Sequence, residues 1–400
     1  MKIGIIREGK NPPDKRVPFT PAQCEEIMGS YPEIELVVQP SKIRCFSDDE
    51  YKEKGVPMQS DLSDCDVLMG VKEVPIRNLM NDKTYFFFSH TIKQQPYNKD
   101  LIKALLDKNI RMVDYETLTA ATNQRLVGFG RYAGIVGAYN GFLAWGMKYD
   151  TFSLYPAHEC EDRVELEEEL KRIQLPSNFK LVLTGKGRVS QGSVEIIELL
   201  GLKKVSPEDF ITKTFEAPVY TIADCLDYNK RKDGQILNNS DFYTNPEDYI
   251  TDFPKFSAVA DMFIAGHFYG SGSPYIFTRE EAKHPDFKLK VVADISCDID
   301  GPVASTIRPS TITDPIYGYN RMTEKEDTIK NEDVITVMAV DNLPCELPKD
   351  ASADFGDMLM EHVLPALLRE DPDTIIGRAS ICENKKLTEK YDYLSEYAYN

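Results

Sequence analysis

Four short runs set titratable side chains at or just past apolar, strand-like segments, where α/β enzymes carry their reacting groups. The first is Lys15-Arg16-Val-Pro-Phe-Thr-Pro21, in which a guanidinium in the loop after the first strand can hold a carboxylate through two parallel bonds. A solvated surface arginine is the plainer alternative. The second, Gly70-Val71-Lys72-Glu73-Val-Pro75, puts a lysine directly after an apolar strand, where partial desolvation lowers an ammonium into a useful range. The adjacent Glu73 could pair with Lys72 and cancel that effect. The third is Phe86-Phe-Phe-Ser89-His90-Thr91-Ile-Lys93. Of five histidines, His90 is the one that ends a fully apolar strand, and imidazole suits proton transfer near neutrality. A satisfied core histidine would read the same way. The fourth is Val292-Ala-Asp294-Ile-Ser-Cys-Asp298-Ile-Asp300-Gly301, whose three carboxylates suggest a metal loop. It lacks the glycine and terminal glutamate of an EF-hand. Asp298 facing a cofactor is the better reading, with a turn aspartate as its alternative, and no metal is expected.

A fifth run points to a nucleotide. Leu181-Val-Leu-Thr-Gly185-Lys-Gly187-Arg188-Val189-Ser190-Gln-Gly192 is an apolar strand ending in close glycines, followed at once by the helical pattern Val194–Leu200. Glycines allow a tight turn and close backbone approach, and a helix N-terminus offers free N–H groups to a pyrophosphate. Ser190 stands where G-x-G-x-x-G wants its third glycine, and Gly192 can take over that packing role.

The chain that must position these groups has 400 residues, enough for roughly two or three domains with packed cores. With 42% hydrophobic and 28% charged residues, the composition is that of a soluble enzyme. No segment approaches the roughly 18 apolar residues of a membrane span, and Met1–Arg7 reads as a strand rather than a signal peptide. A net charge of −18 argues against nucleic acid, whose binding rests on Lys and Arg. Eight scattered cysteines, none in C-x-x-C, read as reduced thiols of a cytoplasmic protein.

Strands are expected at 2–6, 34–38, 67–71, 84–89 and 111–115, with helices at 20–28, 47–54 and 98–108. That alternation implies a mostly parallel sheet. Gly128-Phe-Gly-Arg-Tyr-Ala-Gly134-Ile-Val-Gly137 opens a long small-residue helix through Trp145, expected to link two domains, its glycines permitting close packing at an interface. The glycine turn begins a second α/β region, with later strands at 261–265, 289–295 and 334–340. Residues 227–252 are polar and read as an insertion of loops and short helices. A last helix spans 354–368.

Several of these runs together resemble the lysine–ketoglutarate reductase and saccharopine dehydrogenase (lysine-forming) family, within the alanine dehydrogenase and transhydrogenase superfamily. The likeness lies in Gly70–Pro75, Asn81–Lys93, Gly128–Gly134, Thr184–Gly192, Ala293–Asp298, Val340-Asp-Asn342-Leu-Pro344 and Phe355-Gly-Asp357. It runs in order from Lys2 to about Arg369, and the reductases share the Val-Ser pattern at Ser190. The resemblance implies two Rossmann-like, doubly wound α/β domains with a cleft between them. Residues 1–137 and 350–400 would form the substrate domain and 138–349 the dinucleotide domain. It implies interconversion of saccharopine with L-lysine and 2-oxoglutarate by NAD or NADP. An alanine dehydrogenase-like or opine-type enzyme acting on another amine and keto acid is the alternative, and a non-catalytic dinucleotide-binding regulator a more distant one.

Carried over residue by residue, Lys72 and His90 would be the acid–base pair and Arg16 would hold a carboxylate of the keto acid. Glu73 and Glu116 would tune the pair, with Lys93 a further cation. Gly185, Gly187, Arg188, Val189, Gly192, Asp298 and Asn342 would meet the cofactor. In Leu202-Lys203-Lys204-Val-Ser206-Pro-Glu208 the strand expected after the glycine turn has no acidic residue at its very end; Glu208 comes two positions late, where it could still reach, and Lys203 and Lys204 are compatible with NADP. NAD enzymes use one on the ribose hydroxyls, so the choice stays open and leans to NADP. Oligomeric state, physiological direction and the role of 227–252 are not legible.

Overall fold

Thr20 and Pro21 open the first helix as their types require. The Thr20 hydroxyl accepts from the Gln23 N–H at 3.2 Å and the Gln23 side chain accepts from the Thr20 N–H at 2.9 Å, a reciprocal cap. Proline costs nothing at the first helical position, where its missing N–H would have no partner. The computed structural model describes residues 1–399. It divides into two compact units, Met1–Phe129 with Pro348 onward, and Gly130–Leu347.

The first unit begins with β1 (Lys2–Ile5), α1 (Pro21–Ser30), β2 (Glu35–Val38), α2 (Asp48–Glu53), β3 (Val67–Met69), β4 (Thr84–Phe87), α3 (Lys99–Asp107) and β5 (Arg111–Asp114). These strands pair in parallel, and each is three or four residues long and almost wholly buried. A strand covered on both faces needs no polar alternation, which is why they read as continuous apolar runs. α3 turns Leu101, Ile102, Leu105 and Leu106 inward, the stripe of an amphipathic helix.

The second unit opens on α4 (Gly130–Tyr149) and α5 (Arg163–Leu170), then β6 (Lys180–Thr184), α6 (Arg188–Leu199), β7 (Lys203–Lys204) and β8 (Val219–Ala223). β9 (Asn229–Arg231) and β10 (Tyr249–Thr251) follow, then β11 (Met262–Ala265), β12 (Val291–Asp294), β13 (Ile316–Asn320), β14 (Lys325–Glu326) and β15 (Val334–Met338). Its eight-stranded sheet runs β14-β13-β15-β12-β11-β6-β8-β7. The chain then returns to the first unit with β16 (Ser380–Glu383) and β17 (Lys386–Leu387), completing a sheet ordered β17-β16-β5-β4-β3-β1-β2.

The α/β class follows the sequence, with three local departures. β13, β14, β16 and β17 are antiparallel additions to the sheet edges. Residues 227–252 hold the antiparallel pair β9–β10 around a short helix, Asn239–Thr244, rather than loops and short helices alone. The third departure matters most. The strand beside β6 is β8, absent from the sequence reading, whereas 202–208 contributes only the two-residue edge strand β7. Lys203 lies opposite Val219 and Lys204 opposite Tyr220, near the start of β8.

The small residues of α4 serve its crossing with α6. A Cβ on Gly134 would stand 1.8 Å from the Val189 carbonyl oxygen, and one on Gly192 would stand 1.9 Å from that of Arg131. Backbones this close leave room for hydrogen only.

Candidate active site

In the first unit the sheet order places β1 between β2 and β3, so the chain leaves β1 in one direction and resumes in the other. Loops at such a switch point part at the carboxyl ends of the strands and leave a crevice. The loops after β1, β3, β4 and β5 bring Glu8, Lys72, Glu73, His90 and Glu116 to this edge. Glu8 ties two of them together. Its carboxylate oxygens accept from the N–H groups of Val71 (2.7 Å) and Lys72 (3.0 Å), and burial pushes its pKa up to about 8.

His90 sits in the left-handed region (φ 54°) at the head of a short 3-10 turn, Thr91–Lys93. Its Nδ1 lies 2.7 Å from Glu73 Oε1, and Lys10 Nζ donates to Glu73 Oε2 at 2.7 Å. Burial opposes ionisation of Glu73, yet the bonds from His90 and Lys10 outweigh it and bring the pKa down to about 2. An ionised carboxylate only accepts, so Nδ1 carries the hydrogen and Nε2 is the nitrogen that exchanges a proton. Lys72 is half-buried; desolvation first, then the nearby Arg16, lower it below an ordinary lysine. Glu73 thus bonds to His90 rather than cancelling Lys72.

Arg16 is buried and its guanidinium forks onto Asp14, Nε to Oδ1 at 3.0 Å and Nη2 to Oδ2 at 2.6 Å, while stacking 4.1 Å over the Phe129 ring. A carboxylate meeting this fork of the guanidinium would share it with Asp14 or displace it. Lys93 and Arg125 approach Glu116 at 3.5 and 3.2 Å. Beneath His90 lies an aromatic wall. Phe88 stacks on the imidazole at 6.4 Å and packs against Tyr115, Phe129 and Phe355. The buried Asp114 accepts from the N–H groups of Ser89 (3.0 Å) and Glu116 (2.8 Å), coupling the loops that carry His90 and Glu116. The sequence reading missed Glu8, Lys10, Asp14, Asp114 and the wall. Glu8 and Asp114 carried a signal, a carboxylate at or just past the end of an apolar strand.

In the second unit β6 ends at Thr184 and the turn follows. Gly185 has φ +90°, and a Cβ there would stand 2.7 Å from the Gly266 carbonyl oxygen. Gly187 precedes α6 with no described side chain capping the helix, and nothing among the described residues lies within 4 Å of where its Cβ would be. Gly192 faces α4, so it belongs to packing rather than to the lining of the turn. His267, just past β11, is buried; its Nδ1 lies 2.6 Å from Thr184 Oγ1, and its Nε2 finds no partner among the described residues. An open glycine, a helix start with no side-chain cap among the described residues and a buried imidazole nitrogen with no partner there are features that can receive an anionic ligand.

Other expected contacts lie on neighbouring loops of the same unit. Asp294 is buried and caps its turn through Ser296, Cys297 and Thr306, Asp298 is exposed, and Asp300 pairs with Arg279 at 2.7 Å. Asn342 follows β15 in the left-handed region, φ 69°. No group of His, Cys, Asp or Glu among the described residues is arranged to hold a metal, and no described helix is long and apolar enough to cross a membrane.

Two doubly wound units, one with a titratable cluster and one with a glycine turn, share their fold with an L-alanine dehydrogenase. That similarity has a TM-score of 0.64 over 100% of both chains at 15% identity. A transhydrogenase from Sinorhizobium meliloti has a TM-score of 0.59 at 12% identity, over 97% of this chain and 100% of that one. Residues 4–136 match the family described as alanine dehydrogenase/PNT, N-terminal domain.

The homologues by sequence are alpha-aminoadipic semialdehyde synthases and saccharopine dehydrogenases, as the resemblance implied. The alpha-aminoadipic semialdehyde synthase of Arabidopsis thaliana is 29% identical over 98% of this chain and 41% of its own length. The mitochondrial one of Rattus norvegicus is 28% identical over 98% and 47%. The chain thus spans less than half the length of these relatives. The saccharopine dehydrogenase [NAD(+), L-lysine-forming] of Candida glabrata is 25% identical over 93% of this chain and 96% of its own.

Proposed function

We propose that the protein interconverts saccharopine with L-lysine and 2-oxoglutarate, using a nicotinamide dinucleotide. The observation that carries this reading is that the loops at the switch point of the first unit hold both His90, bonded to an ionised Glu73, and a desolvated Lys72. Joining an amine to a ketone requires one group to take a proton from the ammonium and one to give a proton to the departing hydroxyl. Lys72, lowered by burial and by Arg16, takes the first; His90, through Nε2, gives the second. Two groups of separated proton affinity are what this chemistry demands.

Keto-acid carboxylates would meet Lys93 and Arg16, the latter by exchanging with Asp14. Glu116 and Glu73 set the local charge. Gly185 and Gly187, with the backbone of Arg188 and Val189, would receive the pyrophosphate, and Asp298 and Asn342 would stand by the nicotinamide. The bound dinucleotide supplies the hydride that reduces the imine. In the condensing direction L-lysine, 2-oxoglutarate, the reduced nucleotide and a proton give saccharopine, water and the oxidised nucleotide.

The test follows near-ultraviolet absorbance of the reduced nucleotide with 2-oxoglutarate present and lysine added last. Lysine-dependent oxidation is expected. Oxidation with ammonia and pyruvate, but none with lysine, would overturn the substrate assignment and move the protein to a sister activity.

A further inference from the structure

A lean to NADP follows only if the segment after the glycine turn, which has no acidic residue at the very end of its strand, lies beside β6. In the sheet that segment is not the neighbour of β6. β8 is, and it runs in register with it, Ala223 opposite Thr184. The residue just past Ala223 is Asp224. Lys203 and Lys204 lie opposite Val219 and Tyr220, five and four residues before Asp224 along β8, roughly 13 to 17 Å at the rise of a strand, and are exposed on the sheet edge.

Asp224 stands beside the cradle. Lys186, between the two glycines of the turn, reaches its Oδ2 at 2.9 Å, and the Gly185 N–H donates to the Ala223 carbonyl at 3.0 Å. Its carboxylate also accepts from the Cys225 N–H at 2.8 Å and from Asn239 Nδ2 at 2.8 Å, which fixes its position. Burial works against its ionisation, but Lys186 and Asn239 hold it below the usual aspartate range. Asp227 adds a second negative charge near Lys186. Across the turn stands His267, neutral at physiological pH because burial lowers it to about 4, with its orphaned Nε2 and the Tyr228 ring 6.0 Å away.

We propose that Asp224 selects NAD over NADP by accepting the ribose hydroxyls and repelling a 2′-phosphate. The inference rests on the dinucleotide reading above and deepens it. A carboxylate at the end of the strand flanking the glycine strand is where a ribose diol is held. A phosphate there would meet two carboxylates against one lysine, already engaged by Asp224. Discrimination by a like charge is a penalty on the wrong ligand rather than a gain for the right one. Residues 227–252 gain a purpose in this account, because Asn239 from that segment braces Asp224.

The experiment is equilibrium titration of the full chain with NADH and with NADPH, followed by nucleotide fluorescence without substrates. Competition by 5′-AMP and 2′,5′-ADP isolates the adenosine end. NADH is expected to bind at least about 100-fold more tightly than NADPH, the size of a buried like-charge penalty. Asp224→Asn, which keeps the shape and the capping oxygen, is expected to narrow that ratio to under about 10-fold, mainly by tightening NADPH. Lys186→Met removes the one cation on Asp224 and is expected to widen the ratio or leave it unchanged. NADPH binding as tightly as NADH, an Asp224→Asn ratio equal to the parent's, or a Lys186→Met ratio narrower than the parent's would overturn the selection by Asp224 while leaving the dinucleotide reading intact. Binding of neither nucleotide would overturn both.

Discussion

The two candidate regions are built from opposite materials. In the first unit the work is assigned to side chains: a lysine and a glutamate whose proton affinities are set by burial and by their neighbours, and a histidine bonded to that glutamate. In the second the cradle is made of backbone, and its essential residues are those lacking a side chain. A titratable cluster needs polar neighbours at bonding distance but tolerates isosteric exchange of its members without loss of fold. At the backbone turn Gly187 has open space, but Gly185 and the α4–α6 crossing beside it tolerate no added atom, because packed main chain cannot yield as a flexible side chain can.

Substitutions can break that contrast. The largest effect is expected from Gly192→Ala, whose methyl would stand 1.9 Å from the Arg131 carbonyl oxygen and force α4 and α6 apart. A loss of more than about 4 kcal/mol is expected, seen as a collapse of the thermal midpoint. A midpoint within a few degrees of the parent would show that the crossing can yield.

Lys72→Met and His90→Ala should do the reverse, lowering turnover by roughly 10²–10⁴-fold while the melting curve stays near the parent's. Near-parental turnover in both would remove the acid–base pair from the mechanism.

Glu73→Gln sharpens the comparison by changing charge with little change in shape. Turnover is expected to fall at least about 10-fold, because the amide no longer dictates which imidazole nitrogen carries hydrogen. Glu73 is held at about 2, below its ordinary 4.5, so its ionisation stabilises the fold above pH 4.5 and that contribution is lost as pH falls toward 2. The variant should therefore unfold less steeply across that acid window, and an unchanged slope would mean the Glu73 bonds persist in the unfolded chain. Thr20→Ala is expected to be the mildest, costing about 1 kcal/mol through one lost cap with activity unaltered. A parental denaturation midpoint would show that Gln23 sustains the helix start alone.

Much of this was legible along the chain. Apolar runs closed by a polar residue marked β1, β3, β4 and β6, because a strand buried on both faces must be apolar until it reaches the sheet edge. His90 and Lys72 could be singled out for the same reason. Glu8 and Asp14 could not be matched to Lys72 and Arg16, since loops from different strands meet only through strand order. The β8 strand was missed because Val219-Tyr-Thr-Ile-Ala223 follows a polar stretch with no glycine turn to announce it. That omission left Asp224, just past the end of the strand flanking β6, out of the reading.

By itself, then, the sequence determined the α/β class, the glycine turn, the chemistry-bearing residue types and their places at strand ends, all of which depend on local pattern. Only the tertiary structure decided that β8 flanks β6, that Glu73 serves His90 rather than Lys72, and that Arg16 is bound to Asp14. Those are matters of which strand lies beside which and how far a buried charge is from its partner, and periodicity along a chain carries no information about either.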